Sequence, residues 1–139
     1  MNRADPWDAA NRDQAVASDP DASVWVSAHA GSGKTHVLVN RVIRLMLAGV
    51  PPERILCLTY TRAAAAEMSR RLFDVLSGWI PLDDEALIER IHKISGYARF
   101  GGELKKARRL FARALETPGG LKIQTIHAFC ERLLQRFPV

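Results

Sequence analysis

The stretch "SVWVSAHAGSGKTHVLVNRVIRL", residues 23–45, limits most what this chain can become. It opens with a short, nearly continuous apolar run, "SVWVSA", as expected for a strand buried on both faces of a parallel sheet. A turn with Gly31 and Gly33 follows. Beyond it the polar residues His36, Asn40 and Arg44 stand four apart and form one narrow stripe. Val37, Leu38, Val39, Val42, Ile43, Leu45, Met46 and Leu47 cover most of the remaining surface. This predicts a helix over 34–48, buried nearly all round and ended by Gly49. A buried strand turning through glycines into a buried helix opens an α/β unit.

The rest of the chain continues the alternation. Residues 5–18 read as a short helix, with Asp5 as cap and Pro6 in its first turn. "ILCLTY" is a second buried-type strand. "RAAAAEMSRRLFDVLSGW" is a helix with Ala65, Met68, Leu72 and Leu76 on one face. Asp83 or Asp84 caps a helix to about Ile94, and "GGELKKARRLFARALE" gives another with Leu104, Ala107, Phe111 and Ala114 inward. "LKIQTI" is a third strand, and "HAFCERLLQRF" a last amphipathic helix stopped at Pro138. The expected fold class is α/β, a parallel sheet with helices on both faces, incomplete and with a helical insertion over about 80–117. Three strands are few for such a sheet, so the 139 residues read as the front of a larger domain.

Composition narrows the function classes. No apolar stretch reaches the eighteen or so residues of a membrane span, and the polar N-terminus is no secretory signal. Cys57 and Cys130 both lie in apolar contexts and read as small core residues, with neither a disulfide nor a metal site expected. The net charge of +5 permits a polyanionic partner without requiring one. Lys105, Lys106, Arg108, Arg109 and Arg113 share one helix with a separate apolar face. They read first as a solvated face and second as a contact for DNA or a partner.

The glycine turn carries the chemistry. Residues 28–35 read A-H-A-G-S-G-K-T, the spacing of the phosphate loop G-x-x-x-x-G-K-[ST] with Ala28 in place of the first glycine. Gly31 and Gly33 let backbone N–H groups turn inward around phosphate oxygens. The following helix adds the partial positive charge of its N-terminus. Lys34 is spaced to reach the β- and γ-phosphates, and the Thr35 hydroxyl to coordinate Mg²⁺. The candidate nucleotide-binding set is Ala30, Gly31, Ser32, Gly33, Lys34, Thr35 and His36, with Lys34 and Thr35 as the catalytic members. His29 reads as a solvent-facing spacer.

"AHAGSGKTHVLVNRVIRL", "ILCLTYTRAAAAEMSRRL" and "IQTIHAFCERLLQRFP" resemble the first motifs of superfamily 1 DNA helicases of the UvrD/Rep type. The A-x-A-G-[ST]-G-K-T loop is that family's own variant, which accounts for Ala28. "TIHAFC" and "LAGVPPERILCLTYT" look like the RecB/AddA branch. The resemblance implies a P-loop NTPase (RecA-like) fold, ATP and Mg²⁺ as cofactors, and residues 1–139 as the N-terminal part of the first motor domain. It implies an ATP-dependent DNA helicase or translocase of double-strand-break repair, a helicase–nuclease subunit in the bacterial cytoplasm on the nucleoid. The implied partners are single-stranded DNA from duplex ends and an AddB-type nuclease subunit.

The resemblance also assigns residues. Gln14 corresponds to the glutamine that reads the adenine edge; the alternative is an ordinary exposed helix glutamine. Thr59, Tyr60, Thr61 and Arg62 correspond to a motif that touches single-stranded DNA, with Tyr60 stacking on a base where most relatives have phenylalanine. The alternative for Tyr60 is a core residue. Thr125 and His127 correspond to a second DNA-contacting motif, and a structural role for His127 stays open.

A complete motor also needs a strand ending in Asp-Glu to hold Mg²⁺ and orient water. The acidic cluster "WIPLDDE" contains Pro81, which argues against a central strand, so Asp83 and Asp84 read as helix caps. Nucleotide binding without turnover is expected of these residues alone. A small-molecule or nucleoside kinase would share the loop but should add a lid with arginines and an acceptor-binding acid. A non-catalytic nucleotide-binding module is the third reading.

Overall fold

The computed structural model describes residues 6–29, 33–95 and 104–137, with side chains from residue 11 onward. Helices dominate, in the order α1 (Pro6–Ala17), α2 (Lys34–Leu47), α3 (Arg62–Gly78), α4 (Asp84–Ser95), α5 (Leu104–Leu115) and α6 (Ile126–Leu134). Strands β1 (Leu56–Thr59) and β2 (Lys122–Thr125) pair in parallel, with Leu56 opposite Lys122 and Thr59 opposite Thr125. The chain is therefore α/β, with a two-stranded parallel sheet among the described residues.

The apolar spacing of α2 and α3 dictates the core. Val39, Val42, Ile43 and Met46 meet Met68, Leu72 and Leu76, all buried. Helix α2 closes with Gly49 at φ 95°, where Gly49 N–H donates to Met46 O and Val50 N–H to Leu45 O. That paired motif satisfies two terminal carbonyls and needs a left-handed residue, which glycine supplies without strain. Leu38 is nevertheless 51% exposed, so α2 is not buried all round as its composition suggested. No described element covers that side.

Helices α4 and α5 contribute to the same core. Leu87 and Ile91 of α4 and Ala107, Leu110 and Ala114 of α5 are buried in the same cluster. Phe111 meets Phe73 of α3 edge to face, with centroids 6.1 Å apart. The Asp83 carboxylate accepts from Ala86 N at 2.8 Å and starts α4, and Arg108 donates to Leu82 O and Asp84. The acidic cluster thus caps a helix.

Three further expectations fail. Residues 23–29 form no strand: β1 and β2 pair only with each other, and without a ladder partner Val24, Trp25 and Val26 stand 41%, 92% and 42% exposed. The sheet is not buried on both faces. Cys57 and Ile123 pack against the core, whereas Leu56 and Leu58 remain 44% and 43% exposed. Over that outer face α6 leaves a cleft of about 420 Å³ bordered by Leu56, Gln124, Phe129 and Leu133. Finally, Cys130 is exposed, because α6 buries none of its residues. Cys57 is half-buried and free, and burial raises its thiol pKa.

Candidate nucleotide and nucleic-acid site

The glycine loop builds the first half of the site. Gly33 sits at φ 86° as the N-cap of α2, a conformation that side chains resist. No side chain caps this helix, and its first turn holds no acid. The positive end of the helix dipole is therefore neither capped nor neutralised by its own sequence, which suits an anion. The Lys34 ammonium turns back toward the start of the loop and donates to the carbonyls of Ala28 and of His29, the latter at 3.0 Å. Thr35 follows, half-buried, in the first turn. His29 is exposed. Ala30, Gly31 and Ser32 lie outside the described residues.

Gln14 comes to the same place from a distant part of the sequence. A methyl group at Gly33 would lie 3.6 Å from Gln14 Nε2. Its amide offers both donors and an acceptor beside the loop. The His36 ring turns the other way. Its Nε2 meets Asn40 Nδ2 at 3.1 Å, on the wall of a cleft of about 500 Å³ shared with Trp79, Arg90 and Lys93.

Two arginines that periodicity did not single out as functional hold Gln14 there. Arg44 donates to Ala15 O at 2.6 Å and to Ser18 Oγ at 3.0 Å, and approaches Asp19 at 3.7 Å. Arg41 donates to Asp19 O at 2.5 Å and Ala22 O at 2.6 Å. Arg44 fastens the end of α1, and Arg41 the turn after it, to the flank of α2. The partners are carbonyls far along the chain, which a 3.6-residue pattern cannot signal. Arg44→Ala should lower stability by about 1.5 kcal/mol, the value of hydrogen bonds to a charged donor. Arg44→Lys should recover under half of that, because an ammonium lacks the planar fork. Urea midpoints of the three proteins check this, and equal midpoints would dismiss the clamp.

The second half of the site lies at the C-terminal ends of the strands, where open parallel sheets hold ligands. A threonine caps the helix after each strand: Thr61, two residues past the end of β1, and Thr125, the last residue of β2. Thr61 Oγ1 accepts from Ala64 N at 3.1 Å, and Thr125 Oγ1 accepts from Ala128 N at 3.1 Å. Such caps stabilise by about 1 kcal/mol each. Thr59 donates to Thr61 O at 3.0 Å and stiffens the bend into α3. Because Thr59 is opposite Thr125, Tyr60, Thr61 and the start of α3 at Arg62 stand beside the start of α6, which carries His127. Tyr60 is 86% exposed, so it is no core residue, and Arg62 and His127 are exposed too.

Several other charges on α3 and α4 are locally paired. Arg70 and Arg71 hydrogen-bond Glu67 and pull its carboxyl down to about 2, and Lys93 similarly lowers Glu89. No group of three or more metal-ligating side chains occurs among the described residues. No described helix is long and apolar enough to cross a membrane.

Comparison with known proteins gives the family. The sequence pattern of the UvrD/REP helicase N-terminal domain matches residues 9–139. The AddA chain of the ATP-dependent helicase/nuclease of Enterococcus faecalis is 39% identical over 119 residues, which cover 86% of this chain and 8% of that protein. The protein of the same name from Levilactobacillus brevis is 36% identical over 127 residues, 91% of this chain and 9% of its own length. In Pediococcus pentosaceus the figures are 34% over 115 residues, 83% and 8%. The chain thus spans under a tenth of the length of these relatives. No solved structure matches it significantly. The match over residues 9–139, together with relatives that share one name, shows that the chain belongs to the UvrD/REP helicase family.

Proposed function

We propose that the chain forms the ATP-binding front of the first motor domain, RecA-like in fold, of an ATP-dependent DNA helicase and translocase. The longer protein would be a helicase–nuclease subunit that takes single-stranded DNA from duplex ends in double-strand-break repair. It would act in the cytoplasm on the nucleoid, beside an AddB-type nuclease subunit. The observation that carries the reading is the convergence at Gly33. An uncapped helix N-terminus, a lysine turned back toward the start of the loop and the Gln14 amide meet at one point.

These groups fit a magnesium nucleotide. Lys34 and the backbone N–H groups from Ala30 to His36 would hold the phosphates, the Thr35 hydroxyl the Mg²⁺, and Gln14 the adenine edge. When bound, the nucleotide supplies a phosphoanhydride whose cleavage can drive movement along a strand. Lys34 neutralises charge on the phosphate chain, exchanging two carbonyl partners for phosphate oxygens. Arg44, with Arg41 on the turn after α1, keeps Gln14 beside Gly33. At the sheet end, Thr59, Thr61, Arg62, Thr125 and His127 present hydroxyls and cations to a DNA backbone while Tyr60 offers a ring to a base. The sequence offers no strand ending in Asp-Glu to orient water, so these residues alone bind nucleotide without turnover.

Lys34→Ala should keep the fold, since Lys34 bonds loop carbonyls rather than the core. It should abolish the thermal shift that millimolar Mg-ATP produces in the parent chain. At ten times Kd that shift reflects about 1.4 kcal/mol. Equal shifts in the two proteins would sink the assignment. Phosphate release by the parent chain should equal that of Lys34→Ala, with or without DNA. Turnover above this blank would point to Asp83, Asp84 and Glu85.

A further inference from the structure

Several exposed cations on α3 and α4 come with carboxylates one turn away: Arg70 with Glu67 and Asp74, Arg71 with Glu67, Lys93 with Glu89. Helix α5 reads LKKARRLFARAL, five cations without an acid. Arg108 turns to another element and pairs with Asp84 at the start of α4. Lys105, Arg109 and Arg113 are exposed, follow one another at four-residue intervals, and carry no ion pair among the described residues. They form one stripe along the helix, because residues four apart lie above one another. Like charges at this spacing destabilise a helix, so the stripe works against α5 folding alone. The opposite face, with Ala107, Leu110 and Ala114, holds α5 against the core. The stripe is thus carried on a fixed support and faces solvent.

We infer that this stripe is a docking surface for the phosphate backbone of double-stranded DNA, separate from the strand-end loops and the glycine loop. Charge complementarity selects the partner. The stripe spans about 12 Å at 1.5 Å per residue, a length over which a duplex presents about seven phosphates, one per ~1.7 Å of axis. Duplex rather than single strand follows from what the stripe lacks. Single-strand platforms combine cations with aromatic rings on which bases stack. The one aromatic residue of α5, Phe111, is turned inward against Phe73. A surface with cations and no ring can follow a backbone and cannot hold unstacked bases. It would read no sequence, as phosphate contacts do not.

The test uses the 139-residue chain, a fluorescent 20-base-pair duplex and its single strand, without nucleotide. The variant Lys105→Gln/Arg109→Gln/Arg113→Gln is compared with Arg70→Gln/Arg71→Gln/Lys93→Gln, which removes as many charges from α3 and α4. Circular dichroism melts confirm that both fold. Fluorescence anisotropy over a range of salt should show the α5 variant losing about 2.7 from the slope of log affinity against log salt, at ~0.9 per phosphate. Its duplex affinity in 0.1 M salt should fall roughly 500-fold relative to the parent by the same relation, the two proteins being equal at about 1 M. The control variant should keep most of both, and single-strand binding should change less than duplex binding in the α5 variant. Equal losses in the two variants would reduce the effect to net charge and overturn the inference. So would an unchanged slope in the α5 variant, which would leave the stripe to an acidic protein surface. A larger loss for the single strand than for the duplex would overturn it as well.

Discussion

Leu72→Ala should lower the unfolding free energy by about 2–5 kcal/mol, the cost of emptying a well-packed leucine site. Leu72 is 1% exposed and lies where α3 meets both α2 and the inner face of the sheet. Val42, Met46, Cys57 and Ile123 border the same spot, and the gap between them is about 10 Å³. That leaves room for about one water at most, so the truncation opens a new hole rather than enlarging an old one. Removing the side chain also empties a contact between α2, which follows the glycine loop, and α3, which follows β1. Domains are commonly stable by only about 5–15 kcal/mol, so this one change takes a large share. Leu72→Met, which keeps the volume, should cost less than about 1.5 kcal/mol. Urea denaturation followed by circular dichroism distinguishes them. A midpoint for Leu72→Ala equal to the parent's would mean that α3 is not seated on the core.

Tyr60→Ala should do the reverse, sparing stability and damaging binding. At 86% exposure the ring contributes little to packing, so stability should stay within about 0.5 kcal/mol. Loss of one stacked base should weaken single-strand affinity by about 1–3 kcal/mol, roughly 5- to 150-fold. Tyr60→Phe retains the ring and should bind nearly as the parent does. Anisotropy with a short oligonucleotide, read beside a denaturation curve for each protein, checks both halves. Unchanged affinity for Tyr60→Ala would remove the ring from the site and leave Thr59, Thr61 and Arg62 to hold the strand through phosphates.

Much of this layout is legible in the residues, and the failures have a common cause. The stripes Val39–Val42–Ile43–Met46 and Met68–Leu72–Leu76 follow helical spacing and do face one another. Pro81 and the acids after it announce a helix start, and Asp83 caps one. Thr61 and Thr125 carry a cap signal too, a threonine directly before a helical run, which the resemblance to a DNA motif overshadowed. What local pattern cannot supply is the identity of neighbours. "SVWVSA" has the composition of a buried strand, yet a strand exists only when another backbone pairs with it. Leu56 and Leu58 are as apolar as Cys57 and Ile123, but the covering helices choose one face. Arg41 and Arg44 find carbonyls beyond the glycine loop, a pairing invisible to any short window.

The parallel pairing of Thr59 with Thr125 has a kinetic consequence. Helices α3, α4 and α5 all intervene between the two residues, so their pairing is a contact of high order. The entropy of closing so long a loop must be overcome before the ladder returns anything, and such contacts form slowly. No fragment of the chain can hold the paired loops in advance, since each strand contributes one of them. The strand-end site should accordingly be among the last features acquired in refolding and among the first lost in partial opening. Stopped-flow refolding should therefore show helical signal recovered before oligonucleotide binding returns.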